Sequence, residues 1–285
     1  MILDGQKVAI HMAGELDKRI KILKDGGIIP GLAIVLGGSS RPAAMYGDFL
    51  KKKAESYGIS VTVIKKPDSV TEGELIEVIR TLNDNHAIHG ILLLMPLPEG
   101  ISSDNVVEAM DPYKDIDGLT AANRGRLAAG KPGFVPCTPR AVMAILEEYG
   151  IAVNGKKAVV LGRSNVVGLP VSLLLLQKHA TVTICHSHTG DIAEISRTAD
   201  ILVSAVGKPG MVTADMVKRG AVVIDVGICR QNGKTVGDVE TKEVAEKSSY
   251  ITPVPGGVGA VTTSMMIQAL VEAAEKRKNG GNHNE

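Results

Sequence analysis

Short runs of apolar and β-branched residues alternate with longer amphipathic segments along nearly the whole chain. The runs predict strands at Gly31–Leu36, Val61–Lys65, Gly90–Leu94, Ala158–Leu161, Thr181–Cys185, Ile201–Ala205 and Ala221–Val226. Because these runs are continuous rather than alternating, they indicate parallel strands that are covered on both faces. The helical segments between them predict an α/β fold with right-handed crossovers.

Capping signals mark the start of two of these helices. Thr71 and Glu74 have the spacing of a capping box, which predicts that a helix begins there. Thr138 and Pro139 predict a cap followed by a first-turn proline, before a helix over Ala141–Tyr149.

Two series of βα units are visible, which predicts two lobes. The first series ends near Asp117, and the stretch Asp117–Pro136, rich in Gly, Asn and Arg, is expected to link the lobes. We expect the helix Thr263–Lys276 to pack back on the first lobe and the polar tail Asn279–Glu285 to fray. The corresponding domains are residues 1–120 with 263–285, and residues 121–262.

Charge and cysteine content narrow the class of protein. Hydrophobic residues make up 44% of the chain and the net charge is +1, so we expect no nucleic-acid partner and no membrane partner. The N-terminus has no basic region followed by an apolar run, so we expect no signal peptide, and the apolar runs are too short to span a bilayer. Cys137, Cys185 and Cys229 lack a CxxC spacing, so we expect reduced thiols in a cytoplasmic protein. We do not interpret His186 and His188 as a metal-binding pair, and we expect no metal.

A strand, a glycine turn and a helix follow one another from Ala158 onward. Gly162 and Gly168 bound the turn, and Arg163, Ser164 and Val167 lie between them. Such a turn brings backbone N–H groups and a helix N-terminus to a pyrophosphate. The match to GxGxxG is imperfect, because Ser164 stands where the second glycine would be. An ordinary βα turn therefore stays open as an alternative.

The end of the next strand bears on which dinucleotide binds. NAD enzymes commonly place an Asp or Glu there for the ribose 2′-hydroxyl, whereas Cys185 is followed here by His186, Ser187 and His188. A cation at Arg163 and a hydroxyl, without an acid, suit a 2′-phosphate. The sequence therefore predicts NADP rather than NAD.

Further motifs occur in a fixed order along the chain. They are Met95–Pro98, Lys114–Gly118, Pro136–Arg140, Ala205–Gly210, Asp225–Gly227, Val236–Val239 and Thr252–Gly259. With the glycine turn, they resemble the bifunctional methylenetetrahydrofolate dehydrogenase/methenyltetrahydrofolate cyclohydrolase family over nearly the whole chain. The resemblance implies a folate domain, a Rossmann-like NADP domain and substrates that are one-carbon derivatives of tetrahydrofolate. It also implies that folate and nicotinamide meet in a cleft, and that a homodimer forms through the nucleotide lobes.

The resemblance implies roles for individual residues. Tyr46 is similar to the family's active-site tyrosine, and Asp117 to the carboxylate that binds the pterin, which suits paired hydrogen bonds to an aminopyrimidine edge. The implied cofactor contacts are Gly162, Arg163, Ser164, Val167, Gly168, Ser187, Val206, Gly207 and Ile228. The implied folate contacts are Tyr46, Leu94, Pro96, Asp117, Pro255, Gly256 and Gly257. Purely structural roles stay open as alternatives. Tyr46 could be a surface tyrosine, Asp117 could end a turn, and the glycines of the Pro255–Gly259 loop could serve only to form turns.

The chain departs from the family at positions expected to move protons. The family places a lysine four residues after its tyrosine, one helical turn along, where this chain has Leu50. Leu94 replaces a glutamine that is usual in the family, and Ala43 replaces a serine that is usual there. Lys51 is adjacent to Leu50, but one residue turns a side chain by about 100° around a helix.

Hydride transfer and ring opening need different help from a protein. Hydride transfer needs mainly the alignment of donor and acceptor, whereas opening of the methenyl ring benefits from a positioned acid or base. We therefore expect an NADP-dependent methylenetetrahydrofolate dehydrogenase with weak or absent cyclohydrolase activity. Three alternatives stay open: a bifunctional enzyme that uses Lys51 or water, a catalytically silent binding paralogue, and an NADP dehydrogenase for an unrelated metabolite.

Overall fold

The computed structural model describes residues 1–231 and 233–280, and for residues 278–280 it describes the backbone alone. The chain folds as two compact units. Met1–Met12 and Pro136–Met265 form one of them, called here the five-stranded unit. Ala13–Val135 and the residues from Met266 onward form the other, called the three-stranded unit. Among the described residues, no helix has both the length and the apolar character that crossing a membrane requires.

The three-stranded unit is built around one parallel sheet. In chain order its elements are α1 (Gly5–Asp25), β1 (Gly31–Gly37), α2 (Arg41–Ser56), β2 (Ser60–Lys66), α3 (Glu72–Asp84), β3 (Gly90–Leu94), α4 (Ser103–Glu108) and α5 (Ala121–Ala128). The start of α1 belongs to the five-stranded unit. The strands are ordered β2-β1-β3, and the register sets Leu36 beside Leu94. The carboxyl ends of β1 and β3 are therefore level.

The five-stranded unit contains a second parallel sheet. Its elements are α6 (Cys137–Glu148), β4 (Lys157–Leu161), α7 (Gly168–Gln177), β5 (Thr181–Cys185), α8 (Ile192–Ser196), β6 (Ile201–Ser204), β7 (Val222–Asp225), β8 (Cys229–Gln231), β9 (Lys234–Val236), α9 (Thr241–Lys247), β10 (Tyr250–Ile251) and α10 (Val258–Gly280). The sheet order is β10-β7-β6-β4-β5, and β8 and β9 form a separate antiparallel hairpin. From Met266 onward, α10 belongs to the three-stranded unit.

The apolar runs become the buried strands of both sheets. Every residue of β1, β3, β6 and β7 is buried, whereas the outer strands β2 and β5 are partly exposed. Full burial of one Val, Leu or Ile side chain contributes roughly 1.5–3 kcal/mol. The covered strands therefore contribute apolar burial to the stability of each unit, together with the buried faces of the helices.

Most elements match the sequence-based predictions. Every strand predicted from the apolar runs is present, and no end differs by more than one residue. The capping box is confirmed, because the N–H of Glu74 donates to Thr71 Oγ1 and the N–H of Thr71 donates to the Glu74 carboxylate. The C-terminal helix packs as expected, and Arg19 donates to Glu275 at 2.9 and 2.6 Å. The short strands β8, β9 and β10 were missed, because each is only two or three residues long.

The cap predicted at Thr138 is wrong. Helix α6 begins at Cys137, and Pro136 occupies the N-cap position without a side-chain hydrogen bond. Thr138 therefore lies inside the first turn. Pro139 is tolerated there because the N–H groups of a first turn have no partner within the helix.

The linker predicted over Asp117–Pro136 is also wrong. The stretch contains α5 and belongs to the three-stranded unit as far as Val135. The fully buried side chain of Asn123 anchors it, because Asn123 Oδ1 accepts the N–H of Phe134 at 3.2 Å. The glycine and arginine content of this stretch suggested a loop, but the buried side-chain amide of Asn123 holds the stretch in a defined conformation. The fraying predicted for the tail Asn279–Glu285 lies outside the fully described residues.

Candidate functional site

A cavity of about 280 Å³ lies at the carboxyl edge of the five-stranded sheet. Its lining includes Leu161 at the end of β4, Cys185 at the end of β5, and Ala205 just after β6. In the sheet, β4 has β5 on one side and β6 on the other, so the order in which successive strands are added reverses at this point. Open parallel sheets bind ligands at such a topological switch point.

The turn after β4 depends on two glycines. Gly162 has a φ of 109°, and a Cβ there would lie 2.5 Å from the carbonyl oxygen of Ala205. A Cβ on Gly168, the first residue of α7, would lie 2.2 Å from the carbonyl oxygen of Gly162. Neither position accepts a side chain unless the backbone moves. Close packing of β4, the turn and α7 therefore requires both glycines.

Ser164 has a structural use at the position where a second glycine was expected. Its Oγ accepts the N–H groups of Val167 at 3.2 Å and Gly168 at 3.4 Å. It satisfies donors at the start of α7 in the way that an N-cap residue does. Ser164 also lines the cavity, so one side chain joins the helix start to the binding surface.

Some of the residues to which the family resemblance assigns a cofactor contact line this cavity. Those that line it are Gly162, Arg163, Ser164, Ser187 and Val206. Within the described chain, Val167, Gly168, Gly207 and Ile228 lie outside the lining. Ile228 is 67% exposed. The sequence interpretation missed Lys208, which also lines the cavity. Its place became visible only once β6 and β4 were known to be neighbours.

The described lining of the cavity contains basic side chains and no carboxylate. Arg163 and Lys208 supply cations, and Ser187 supplies a hydroxyl. His186 also lines the cavity, and its Nδ1 accepts the N–H of His188 at 3.2 Å. Among the described residues, no group of three His, Cys, Asp or Glu side chains could hold a metal ion. The cavity therefore suits an anionic group such as a phosphate.

Two buried carboxylates lie close to the loop after β6. Asp225, at the end of β7, is 1% exposed, and Asp238 is 0% exposed. Burial raises the pKa of Asp225 to about 6, although the backbone N–H groups of Gly227, Asp238 and Val239 donate to this carboxylate and favour its charged form.

The Pro255–Gly257 segment is held by the start of the chain. Gly256 has a φ of 98°, and its carbonyl oxygen accepts the N–H of Gly5 at 2.8 Å. A Cβ on Gly257 would lie 2.4 Å from the carbonyl oxygen of Pro253. Local packing accounts for both glycines, so their contact with folate stays a prediction.

Helix α2 separates the side chains at positions 46 and 50. Tyr46 is 43% exposed, whereas Leu50, one turn later, is 0% exposed. Lys51 is 42% exposed, and its Nζ lies 3.7 Å from Glu55 Oε1. Leu50 thus belongs to the core of the three-stranded unit, where it offers neither a proton donor nor an acceptor. Lys51 lies on another side of α2, as the helical spacing predicted.

Leu94 packs against α2 at a glycine. It ends β3 and is 5% exposed. A Cβ on Gly47 would lie 3.0 Å from Leu94 Cδ1 and 3.6 Å from Leu36 Cδ1. The contact between α2 and the end of β3 is therefore apolar and close. A longer polar side chain at position 94 would have to turn away from Gly47.

The surface around this contact is apolar and aromatic. Met45, Tyr46 and Phe49 on α2 are each more than two-fifths exposed, and so is Met95 after β3. Pro96 follows through a cis peptide bond and is itself exposed. Exposed apolar groups on two neighbouring elements suit a flat ring as ligand.

Asp117 is half-buried and follows a segment that Asp115 holds in place. The Asp115 carboxylate accepts the N–H of Leu119 at 3.0 Å, the N–H and hydroxyl of Thr120 at 2.8 and 2.7 Å, and the amide of Asn123 at 2.9 Å. The sequence interpretation gave Asp115 no separate part. Its carboxylate ties residue 115 to the backbone that follows Asp117, at Leu119 and Thr120.

Lys114 ties the same segment to α3. Its Nζ donates to the carbonyl oxygens of Leu82, Asn83 and Asn85 at 2.8, 2.5 and 2.8 Å. Carbonyl groups at a helix end lack partners within the helix, so an ammonium group there is favourable. Burial nevertheless lowers the pKa of Lys114 to about 8.

Comparison with family models covers most of the chain. The catalytic-domain model of the tetrahydrofolate dehydrogenase/cyclohydrolase family matches residues 3–117, and its NAD(P)-binding-domain model matches residues 136–278. The chain belongs to the tetrahydrofolate dehydrogenase/cyclohydrolase family. This confirms both the resemblance carried by the motifs and the two-domain α/β organisation expected of a tetrahydrofolate dehydrogenase/cyclohydrolase.

Other members of the tetrahydrofolate dehydrogenase/cyclohydrolase family align along almost the whole chain. The bifunctional protein FolD of Campylobacter curvus is 48% identical over 277 residues, which are 97% of this chain and 96% of the relative. The crystal structure of the bifunctional FolD dehydrogenase/cyclohydrolase from Campylobacter jejuni has a TM-score of 0.96, with 42% identity and coverage of 97% and 99%. The Trypanosoma brucei FolD, complexed with NADP and an inhibitor, has a TM-score of 0.93, with 37% identity and 98% coverage of both chains.

Proposed function

We propose that this chain oxidises 5,10-methylenetetrahydrofolate to 5,10-methenyltetrahydrofolate by hydride transfer to NADP. The observation that carries the proposal is the cavity at the switch point, lined by Arg163, Lys208 and Ser187, in a chain that matches both domains of the family. When bound, NADP supplies the nicotinamide ring that accepts the hydride.

The lining of the cavity fits a nucleotide that carries a 2′-phosphate. A guanidinium at Arg163 and an ammonium at Lys208 give charge-assisted hydrogen bonds to a phosphate dianion. The 2′-hydroxyl of NAD favours a carboxylate, which the described lining lacks. The NADP complex of the Trypanosoma brucei relative also supports this choice.

The proposed folate contacts are the residues named from the resemblance. They are Tyr46, Leu94, Pro96, Asp117, Pro255, Gly256 and Gly257. Asp117 would pair with the aminopyrimidine edge of the pterin, and Tyr46 would lie beside its ring. Hydride transfer then needs alignment of the two reactants and no proton carrier, because the folate nitrogens stabilise the cation that forms.

Cyclohydrolase activity is a separate part of the proposal. The named relatives are bifunctional, which supports a chain that also opens the methenyl ring. The side chains at positions 50 and 94 favour weak ring opening, because both are buried leucines. Lys51 does not replace the missing lysine, because its Nζ lies 3.7 Å from Glu55 Oε1. Ring opening benefits from a positioned acid or base. We therefore propose that hydride transfer is retained and that ring opening is weak.

A paired assay tests both parts. Purified protein with methylenetetrahydrofolate and NADP should produce the absorbance of reduced nicotinamide, and more slowly with NAD. If no reduced nicotinamide forms, a silent binding paralogue or a dehydrogenase for another metabolite is favoured instead. Methenyltetrahydrofolate supplied alone should open at a rate close to that in buffer. Rapid opening would support the bifunctional alternative.

We further propose a homodimer joined through the five-stranded units. On α7, Leu169 is 39% exposed and Leu176 is 56% exposed. The neighbouring strand β5 is the edge of the sheet, and its Val182 and Ile184 are only half-buried. An apolar helix beside an open strand edge is a surface that proteins usually cover. A second copy can cover it by two-fold symmetry.

The assignment of parts completes the proposal. We propose residues 1–120 with 263–285 as the folate part and residues 121–262 as the nucleotide part. The family matches at 3–117 and 136–278 support a boundary between residues 117 and 136. The compact units differ from this division, because residues 121–135 belong to the three-stranded unit and residues 1–12 to the five-stranded unit. We also propose a cytoplasmic location, which is supported by three cysteines that form no disulfide within the described residues.

A further inference from the structure

The loop that follows β6 directs three consecutive backbone N–H groups at one carboxylate. The N–H groups of Val206 and Gly207 donate to Asp238 Oδ2 at 2.8 and 3.3 Å, and the N–H of Lys208 donates to Asp238 Oδ1 at 2.8 Å. The hydroxyl of Ser204, the last residue of β6, donates to Oδ2 at 3.0 Å. Gly207 has a φ of 67°, which lets successive N–H groups converge. Such a concave arrangement is an anion-binding nest, and here the anion is part of the chain.

Asp238 is itself fixed from the far side by Asp225. The N–H of Asp238 donates to Asp225 Oδ1 at 3.0 Å. Two glycines make room for this arrangement. A Cβ on Gly227 would lie 2.2 Å from Asp238 Oδ1, and a Cβ on Gly237 would lie 1.9 Å from Asp225 Oδ2. The backbone around Asp238 therefore leaves its carboxylate little freedom to move.

The charge of Asp238 is needed to satisfy the loop. Asp238 is 0% exposed, and its carboxylate accepts from the three N–H groups and from the Ser204 hydroxyl. Hydrogen bonds to a charged group are stronger than those between neutral groups, and a buried donor without an acceptor is destabilising. The conformation of residues 206–208 thus depends on a carboxylate that lies 30 residues later in the chain.

The same loop forms part of the nucleotide cavity. Val206 and Lys208 line that cavity, whereas Asp238 does not. We propose that Asp238 is a positioning residue for the nucleotide, acting through the backbone of residues 206–208 and the direction of the Lys208 side chain. This inference rests on the proposed binding of NADP in the cavity. It gives the Val236–Val239 motif a purpose without any contact between Asp238 and the ligand.

The variant Asp238→Asn tests the inference in the full chain. The amide keeps one oxygen and replaces the other by an NH₂ group, which cannot accept from the loop, so residues 206–208 must rearrange. We expect the Kd of NADP, measured by titration calorimetry, to rise by about tenfold or more, because at least one hydrogen bond to a charged group is lost. The kcat at saturating NADP and the KM of methylenetetrahydrofolate should stay within about threefold of wild type. Amide hydrogen exchange should rise first in residues 205–208.

Asp200→Asn is the matched control. Asp200 also accepts a backbone N–H, from Lys157 at 2.9 Å, and it pairs with Lys218 at 2.6 Å. Lys157 is the first residue of β4, so this carboxylate lies at the edge of the sheet opposite the cavity. We expect the control to lower the Tm and to leave the Kd of NADP unchanged.

Four results would count against the inference or against the proposed function. A Kd within about twofold of wild type in Asp238→Asn overturns the inference, and so does an equal rise in the Kd of NADP and the KM of folate, which would indicate general loss of structure. If Asp238→Asn does not fold, Ser204→Ala removes one donor and should raise the Kd of NADP by about two- to fivefold, and an unchanged Kd overturns the inference. Wild-type protein that fails to bind NADP contradicts the proposed function itself and is seen before any variant is made.

Discussion

At the scale of single residues, Leu50 and Leu94 separate the two reactions of the family. Both lie in the apolar interior of the three-stranded unit, so neither can hold or pass a proton. We predict that Leu50→Lys combined with Leu94→Gln raises the rate of methenyltetrahydrofolate ring opening above that of wild type. The same change should lower the Tm, because a lysine at a fully buried position must be desolvated or push its way to the surface. Loss of methenyl absorbance measures the first effect and a thermal melt the second.

Lys51→Gln is the control for this pair. Lys51 is exposed and lies near Glu55, so its loss should leave ring opening unchanged in the wild-type background. If wild type opens the ring well above the rate in buffer and Lys51→Gln falls to the rate in buffer, Lys51 replaces the missing lysine, and the interpretation of the two leucines would then fail.

Arg163 bears on the choice between NADP and NAD. We predict that Arg163→Gln raises the KM of NADP by about 10- to 100-fold, because a hydrogen bond to a charged group contributes roughly 1.5–3 kcal/mol. The KM of NAD, which lacks the 2′-phosphate, should change little. Lys178→Gln, just after α7 and outside the described lining of the cavity, is the control. Equal effects of Arg163→Gln on both nucleotides would contradict the prediction.

At the scale of elements, Asp225 joins the end of β7 to the chain that follows β9. Burial raises its pKa from 3.8 to about 6. A carboxyl group with a higher pKa in the folded chain binds its proton more tightly there, so its contribution to stability grows as the pH falls through this interval and is lost as the pH rises. From about pH 7.5 to about pH 5, the free energy of unfolding of wild type should rise relative to Asp225→Asn by on the order of 1 kcal/mol. Urea denaturation of both proteins across this interval measures the difference, and a difference of opposite sign would refute the assignment.

The elements show which parts of a fold a sequence makes visible. Fully buried strands such as β3 were predicted to the residue because burial on both faces demands a continuous apolar run. The capping box at Thr71 was visible because its partner lies three residues away. The cap at Thr138 and the linker failed for the opposite reason. The cap is at Pro136, which makes no side-chain hydrogen bond and so leaves no capping signal. The linker is decided by the buried Asn123, whose partners Pro112 and Asp115 are 11 and 8 residues away.

The same distinction applies to the site. The glycine turn could be predicted because its residues are contiguous. The close approaches at Gly162 and Gly168 give the physical reason for both glycines. Lys208, Asp238 and Asp115 could not be assigned, because their partners lie on other elements or are backbone N–H groups, which leave no pattern in a sequence.

At the scale of the whole molecule, the apolar surface of α7 is the feature that a single copy leaves unexplained. Its sequence is apolar at most positions, and Leu169 and Leu176 remain exposed. Single exposed leucines scattered over a surface are common in folded proteins. These two lie on one helix beside an open strand edge, so they form part of one apolar patch. A dimer that buries this surface gains apolar burial from both copies at once, since two-fold symmetry uses the same patch twice.

We predict that the wild-type protein is a dimer at micromolar concentration and that Leu176→Glu shifts it to the monomer. The charge would have to be buried against an apolar partner surface, which costs more than one residue of apolar contact can return. The control is Ile22→Glu, which places the same charge at a residue of α1 in the three-stranded unit that is 64% exposed. Light scattering coupled to gel filtration gives the mass of all three proteins. A wild-type monomer would contradict the dimer outright. A dimer that survives Leu176→Glu but not Ile22→Glu would move the interface to the three-stranded unit, because the charge disrupts association only where the surface is covered.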